Sequence, residues 1–226
     1  MSFSSVFKSA VRDITARAQN ATGAREIPAP LHLRRGGFVE IDPLPFRAMQ
    51  DRVNFVLETP AQPIAARGEV DLGGNSWLQR FYLDDDDTWL QVKTDGGVRD
   101  EHISECIVWR YRDVKTPGSQ AELALLAGAQ SEIGLPRYTV GPYVYERAWG
   151  VAAGQTELVQ FREAVFDRTD TAATATCQHF AMLYRREVPG SDRKEYVLIS
   201  VEEAPGRLQV VTSLGIDLLQ ADLTVT

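Results

Sequence analysis

The stretch RFYLDDDDTWLQV, residues 80–92, places four consecutive aspartates between two apolar runs that contain aromatic residues. Aspartate is a frequent turn residue, and a turn at these four positions sets Phe81 opposite Leu90. The same register sets Tyr82 opposite Trp89, on the other face of the ribbon. The stretch therefore predicts an antiparallel hairpin whose base is buried on both faces and whose acidic tip is exposed.

A bound calcium ion is the alternative interpretation of the aspartates at 84–87, because a cation would relieve the repulsion between four adjacent carboxylates. The calcium loop of helix–loop–helix proteins needs spaced ligands, a glycine at its sixth position and a glutamate at its twelfth. Counted from Asp84, those positions hold Trp89 and Asp95. We therefore expect an acidic, solvated turn rather than a specific calcium site.

Outward from this hairpin, the chain alternates short apolar runs with turn signals such as the glycine pairs at 36–37, 73–74 and 96–97. This alternation is typical of antiparallel sheet. The predicted strands cover residues 38–41, 53–57, 78–83, 88–93, 107–111, 143–149, 157–166, 176–186, 195–201 and 208–214. A short helix is predicted at 120–128, because Ser119 and Glu122 have the spacing of a capping box.

Residues 3–18 have the pattern of an amphipathic helix, with apolar side chains at spacings of three and four. The apolar face carries Phe3, Val6, Phe7, Ala10, Val11, Ile14 and Ala18. Lys8, Arg12 and Arg17 against Asp13 give this segment a charge of +2, so the rest of a chain of net charge −7 carries −9. The run NATGAREIPAP that follows indicates a linker or irregular loop.

These patterns together predict an α+β protein that is mostly antiparallel sheet. Residues 1–22 form a helical arm, and residues 23–226 form a β-rich globular domain. A division of that domain into two β-rich lobes, residues 23–116 and 130–226 on either side of the short helix, is left open.

The composition of this 226-residue chain limits the classes of protein to which it can belong. With 44% hydrophobic and 24% charged residues it is typical of a globular protein, and a net charge of −7 disfavours nucleic acid as a partner. The N-terminus lacks the uninterrupted apolar region of a signal peptide, so a cytoplasmic protein is expected. In that setting Cys106 and Cys177 are expected to be free thiols.

Two groups of residues could form sites. His102 with Cys106, and Cys177 with His179, have spacings that could bring zinc ligands together, although neither spacing is a zinc signature. We therefore interpret the thiols as core residues and expect no metal and no cofactor.

The second group lies in YVYERAWG, where one face of a predicted strand carries Tyr143, Tyr145, Arg147 and Trp149. Such a face is either an aromatic recognition surface or a sheet face packed on a neighbour. No catalytic motif of a hydrolase, metalloprotease or phosphate-binding loop is present. No catalytic residue is therefore assigned.

Seven phrases in fixed order resemble the YjfK-like family of bacterial proteins, a family of unknown function. They are GEVDLGG (68–74), RFYLDDD (80–86), IGLPRY (133–138), YERAWG (145–150), AMLYRRE (181–187), EYVLISVEE (195–203) and LGIDLLQADLTV (214–225). The resemblance implies no activity, ligand or catalytic residue. It does imply a setting beside membrane-remodelling proteins of the phage-shock PspA type, and hence an envelope-stress or membrane-associated assembly.

Two functions remain open from the sequence. The first is a non-enzymatic cytoplasmic interaction module, peripheral to the inner membrane, that binds a protein partner of the PspA type. Its contacts would be made by Phe3, Val6, Phe7, Val11 and Ile14 of the arm and by Tyr145, Arg147 and Trp149. The alternative is an enzyme with an unrecognised carboxylate-based or metal-based site, for which a deep polar pocket would be the sign.

Overall fold

A computed structural model describes residues 29–168 and 172–226 of the chain. The arm predicted at residues 1–22, with its helix at 3–18, lies outside the described residues. Within the described ranges, no helix has both the length and the apolar character needed to cross a membrane.

The described residues form twelve strands and two short α-helices. The strands are β1 (Phe38–Ile41), β2 (Ala61–Gly73), β3 (Ser76–Leu83), β4 (Thr88–Thr94), β5 (Ile103–Lys115), β6 (Arg137–Val140), β7 (Tyr143–Arg147), β8 (Val159–Phe166), β9 (Ala175–Glu187), β10 (Lys194–Ala204), β11 (Arg207–Asp217) and β12 (Leu223–Val225). The helices are α1 (Leu44–Met49) and α2 (Gln120–Ala127). Short 3₁₀ turns lie at Pro30–His32, Gln50–Arg52, Asp100–His102 and Gln220–Asp222.

Eight of these strands close into an antiparallel barrel. The order around the barrel is β2, β3, β4, β5, β11, β10, β9 and β8, and β8 pairs back onto β2. The closing seam is short, because only residues 67–69 of β2 find partners on β8. The pairing of β8 with β9 is longer and runs over seven residues.

The remaining four strands branch from two long barrel strands. The first residues of β2 pair with β1, which in turn pairs with β12, whereas the later residues of β2 pair with β8. In the same way, the first half of β9 pairs with β8, and Tyr184 and Arg185 near its end pair with β7. One part of β2 and one part of β9 therefore belong to the barrel, and the other part of each strand pairs with a flanking strand.

The barrel is buried on both faces, because its interior is lined with side chains and much of its outside is covered by the flanking elements. Inside, aromatic residues from neighbouring strands meet: Trp89 stacks on Trp109 with ring centres 5.2 Å apart, and Trp109 contacts Tyr196 at 6.0 Å. Outside, Phe81, Leu90 and their neighbours form a core with the chain before β2 and with β6 and β7. Each central strand therefore carries apolar side chains at nearly every position, as the hairpin at residues 80–92 already indicated.

The predicted α+β class is wrong, and the structure is a mostly-β fold. The only α-helices of the described residues are six and eight residues long, and α2 buries no residue fully. The division into two lobes, which the sequence left open, is not seen in the structure, because β5 pairs with β11 and β2 pairs with β8. The four barrel strands before α2 and the four after it therefore form two halves of one barrel, joined by long-range pairings that local sequence patterns do not encode.

Several local predictions are confirmed. The hairpin has the predicted register, with Phe81 opposite Leu90 and Tyr82 opposite Trp89. Helix α2 occupies the predicted position, and Ser119 accepts a hydrogen bond from the amide of Glu122. The strand predicted at 53–57 is wrong, because this segment is irregular, and β2, β6 and β12 were not predicted.

Gly215 on β11 gives a test of how tightly the barrel interior is packed. A methyl group at this position would lie 2.5 Å from the ring of Trp109. We expect Gly215→Ala to lower the free energy of unfolding by about 1–3 kcal/mol, the usual cost of overpacking a filled core. Equilibrium denaturation with urea measures the change.

The matched control is Gly154→Ala, because a methyl group at position 154 contacts nothing within 4 Å and the backbone there is not left-handed. This control is expected to change stability by less than about 0.5 kcal/mol. Equal stability of the two variants would contradict a filled barrel around Trp109.

Candidate functional site: a cavity inside the barrel

One end of the barrel interior is an open cavity of about 820 Å³. A cavity of this size can hold a small organic molecule, and eight-stranded barrels are wide enough to contain one ligand. Four aromatic side chains line it: Trp109, Trp149, Phe161 and Tyr196. Leucines from β3, β9 and β10 complete the apolar part of the wall.

The open end of the cavity follows from the strand directions. Its rim residues come from the end of β2, the end of β4, the start of β5 and the end of β9. The hairpin with the four aspartates lies at the opposite end of the same strands, since it joins the end of β3 to the start of β4. The cavity and the acidic hairpin tip therefore lie at opposite ends of the barrel.

The rim carries charges of both signs. Asp71 and Glu105 are the acids, and Lys93 and Arg185 are the bases. Lys93 is paired with Asp95 at 2.5 Å, whereas exposed Arg185 makes no ion pair with any residue in the described ranges. Burial raises the pKa of Glu105, although nearby Lys93 opposes that effect. Arg185 is thus a rim cation available to an anionic group.

The floor of the cavity is a buried polar network centred on Glu163 of β8. This carboxylate is 1% exposed, and it accepts hydrogen bonds from Arg80 at 2.7 Å and from the Tyr82 hydroxyl at 2.6 Å. Its Oε2 also lies 2.9 Å from Nε2 of His179. Gly68 makes this possible, because a methyl group there would overlap the Glu163 carboxylate. Glu163 thereby ties β3 and β9 to β8 beside the closing seam.

The charge state of Glu163 follows from these contacts. Burial alone would raise the pKa of Glu163, but the Arg80 guanidinium and the hydrogen bonds from His179 and Tyr82 outweigh burial and lower the pKa to about 2. Burial and the Glu163 charge raise the pKa of Tyr82 well above its ordinary value. The carboxylate is therefore ionised and the phenol is protonated at neutral pH.

His179 links this network to β10. Because an ionised carboxylate only accepts, Nε2 of His179 donates to Glu163, and Nδ1 on the other side of the ring lies 3.0 Å from the Ser200 hydroxyl oxygen. The order carboxylate, imidazole, hydroxyl is also that of hydrolytic catalysts. Here, however, the space beside the three groups is only about 20 Å³, enough for a single water molecule.

The cysteines do not form a metal site with the histidines. Cys177 and His179 share the inner face, as their spacing indicated, but Cys106 packs in the outer core. Both thiols are free. Burial raises the pKa of Cys106 to about 12 and raises that of Cys177 further, so neither is a reactive thiolate at neutral pH.

Hydrogen bonds to Asp85 define the conformation of the acidic turn. Asp85 accepts hydrogen bonds from the backbone amide and hydroxyl of Thr88 and from the side chain of Gln62. Across the described part of the chain, no group of three or more His, Cys, Asp or Glu side chains is arranged to hold a metal ion.

The side chains of Tyr145, Arg147 and Trp149, predicted to share one face, lie in three different surroundings. Tyr145 is fully buried and donates a hydrogen bond to Glu195 at 2.8 Å, on the outer side of the barrel. Arg147 donates to the backbone carbonyls of Ala152 and Gly154 in the loop between β7 and β8, and to that of Gly134 before β6, and so holds the two segments together. Trp149, half-buried at the start of this loop, lines the cavity. Recognition by these residues stays a prediction, and Phe3, Val6, Phe7, Val11 and Ile14 lie outside the described residues.

The floor residues Arg80, Glu163, His179 and Ser200 were not predicted as a site. The available signal was a charged or polar residue inside an otherwise apolar strand, as at Arg80 in RFYL. Burial of such a residue requires a partner. The partner strands are about 80 to 120 residues away in sequence, so the pattern indicates that a partner exists without identifying it.

The Glu163 network predicts a specific dependence of stability on pH. The pKa of Glu163 is about 2 in the folded chain against an ordinary value of 4.5, so its stabilisation is complete above pH 4.5 and is lost as the pH falls toward 2. Glu163→Gln should lower the free energy of unfolding by roughly 3–5 kcal/mol at pH 7, because Arg80 loses its buried counter-ion. The difference between the two proteins should shrink steadily below pH 4.5.

Two further variants make the measurement specific. Glu203→Gln replaces an exposed carboxylate on β10 and should shift stability little at any pH. Tyr82→Phe removes one hydrogen bond to Glu163 and should cost roughly 1.5–3 kcal/mol, which keeps the test usable if Glu163→Gln does not fold. A pH-independent difference between the wild type and Glu163→Gln would contradict the charge assignment.

Comparison with known proteins places the chain in a family whose function is not known. The family described as "Protein of unknown function (DUF2491)" matches residues 7–224. The chain is also 27% identical over 178 residues to "Uncharacterized protein YjfK" of Escherichia coli (strain K12), a match that covers 78% of each protein. No solved structure matches the chain. Since the family match spans nearly the whole sequence, the chain belongs to the DUF2491 family.

Proposed function

We propose that this protein is a non-enzymatic binding protein whose barrel holds one small amphipathic molecule. The observation that carries the proposal is the cavity of about 820 Å³ lined by Trp109, Trp149, Phe161 and Tyr196. Pockets of this size and aromatic content are those that bury most of the surface of a small organic ligand. The body of the ligand is therefore aromatic or hydrocarbon.

The polar part of the ligand is an anionic group. Arg185 lies on the rim without an ion pair among the described residues, while the other rim base, Lys93, is held by Asp95. A guanidinium can bind a carboxylate, sulfonate or phosphate with two parallel hydrogen bonds. The ligand would then lie with its apolar part against the aromatic wall and its anionic group at the rim.

The chemistry of the floor supports binding over catalysis. His179 and Ser200 lie beyond the cavity, next to a space that admits one water molecule, and Arg80 and Leu198 separate the two spaces. A general base must come within hydrogen-bond distance of its substrate. The Glu163 network is therefore best explained as the structural floor of a binding cavity.

The cellular setting is a second part of the proposal, supported by the family resemblance of the seven sequence phrases. In this setting the protein is cytoplasmic, contacts the inner membrane peripherally and binds a protein partner of the PspA type in an envelope-stress assembly. Capture of the full-length chain from native cells, probed for the PspA-type protein, tests this part separately. Failure to recover that protein would contradict the proposed envelope-stress assembly, and it would not bear on ligand binding in the cavity.

Binding of two fluorescent probes to the full-length protein tests the cavity. Anilinonaphthalene sulfonate has an aromatic body and an anionic group, and phenylnaphthylamine has the same kind of body without the charge. We expect both to bind in the micromolar range. Ala148→Trp should weaken both, because residue 148 lines the cavity and the larger side chain would occupy it.

The charged probe tests the role of Arg185. Arg185→Gln should weaken the sulfonate probe roughly tenfold, since a hydrogen bond to a charged group is lost, and should leave the neutral probe unchanged. Arg112→Gln, an exposed arginine on β5 outside the cavity wall, is the matched control and should affect neither probe. If neither probe binds the folded wild-type protein, the proposed function is contradicted.

A further inference from the structure

The wall of the cavity contains a buried side-chain amide. Gln91 of β4 is 7% exposed and lines the cavity among aromatic and leucine side chains. Its Oε1 accepts a hydrogen bond of 3.4 Å from Nε of Arg80. Its Nε2 has no hydrogen-bond partner among residues 29–168 and 172–226, and this atom is open to the cavity. The N–H groups of the amide are therefore donors that the fold leaves to whatever fills the cavity.

Arg80 fixes the direction in which this amide points. A guanidinium only donates hydrogen bonds, so Gln91 turns its oxygen to Arg80 and its nitrogen away from it. Arg80 is held in turn by Glu163, which accepts from it at 2.7 Å. The rings of Trp89 and Phe161 lie over the guanidinium, with their centres 4.8 and 5.4 Å from its central carbon. The donor of Gln91 is therefore positioned before a ligand enters, which lowers the entropy cost of binding to it.

A second polar group without a partner lies nearer the mouth. Tyr196 is 4% exposed and lines the cavity, and its hydroxyl makes no hydrogen bond within the described ranges. Tyr196 pairs with Arg185 across β10 and β9, so the two side chains are neighbours on the inner face. Gln91 lies deeper, because Lys93 stands between it and the mouth end of β4. The wall thus offers hydrogen bonds to a ligand at two depths.

We propose that the ligand carries a neutral hydrogen-bond acceptor within its apolar body, such as a carbonyl or ether oxygen, and that Gln91 donates to it. The inference rests on the proposed function and narrows its ligand class. A purely apolar body would displace water from the amide of Gln91 and leave its donors buried and unpaired, which weakens binding. An acceptor at this depth restores the lost hydrogen bond, so Gln91 selects for ligands that have one.

The acceptor beside Gln91 is neutral because the charges around it are already balanced. The positive charge of Arg80 is paired with the ionised carboxylate of Glu163, 2.7 Å away. A second carboxylate beside the same guanidinium would be buried close to Glu163 without a counter-ion of its own, which is costly. The anionic group of the ligand therefore belongs at the rim with Arg185, and the inner group is a carbonyl, an ether or a ring nitrogen.

Two matched neutral probes test the role of Gln91 in the full-length protein. 2-Acetylnaphthalene has a carbonyl acceptor, and 2-isopropylnaphthalene has nearly the same shape without one. Displacement of bound phenylnaphthylamine gives both dissociation constants, and their ratio is the readout. We expect Gln91→Leu to reduce the preference for the ketone roughly tenfold, since one buried hydrogen bond is lost. Gln160→Leu, at an exposed glutamine of the cavity wall, is the matched control and should keep the wild-type ratio.

Gln91→Glu is the second variant, because it keeps an acceptor for Arg80 and removes the donor to the ligand. It should shift the ratio in the same direction, which keeps the test usable if Gln91→Leu does not fold. Infrared spectra of the probe with a ¹³C-labelled carbonyl report the hydrogen bond itself, since a hydrogen-bonded carbonyl absorbs at lower frequency. The frequency of the bound ketone should rise in both variants of Gln91 and stay unchanged in Gln160→Leu.

The outcomes separate this inference from the proposed function. If both probes bind and the ratio is the same in wild type and in the Gln91 variants, the inference is overturned and the proposed function stands. A ratio that falls while the frequency of the bound carbonyl stays constant would also overturn the inference, because altered packing would then explain the change. If phenylnaphthylamine and both naphthalenes fail to bind the folded wild type, the inference and the proposed function are both contradicted.

Discussion

The Glu163 carboxylate at the seam between β8 and β2 is the contact on which the barrel depends. Only three residue pairs join these two strands, so the backbone ladder alone makes a weak closure. Glu163 adds Arg80 and Tyr82 on β3 and His179 on β9, and Gly68 leaves the space that the carboxylate occupies. A buried ion pair stabilises little relative to an apolar core, but removing one partner is costly, so this network specifies which strands close the barrel.

The closure divides the molecule into two cores with different roles. The outer core is continuous and apolar, with a second buried carboxylate, Glu195, that binds the amides of Asn54 and Phe55 and so fixes the segment before β2. The inner core is aromatic in the middle, polar at one end and open at the other. A closed polar end and an open aromatic end are what a barrel that binds a small ligand would have. The space beside His179 and Ser200 is too small for an organic substrate.

Local features of the fold could be predicted from the sequence, and its closure could not. The register of the hairpin at residues 80–92 and the position of α2 follow from turn and capping chemistry, which acts over a few residues. Strand β2 was missed because Pro63, Gly68 and the charged pair of Arg67 and Glu69 interrupt its apolar pattern. Of the candidate residues in the described ranges, Trp149 lines the cavity. The residues of the polar floor come together only through pairing of strands that are distant in sequence, which one sequence does not reveal.

Hydrogen exchange of the backbone amides in wild type and in Glu163→Gln tests the central claim most directly, since it reports local opening strand by strand. If Glu163 closes the barrel, the variant should lose protection first in β8 and in residues 67–69 of β2. The ladder of β10 with β11, which runs over ten residue pairs away from the seam, should keep its protection. Wild-type protection of β8 in the variant, or an even loss across all strands, would contradict the account.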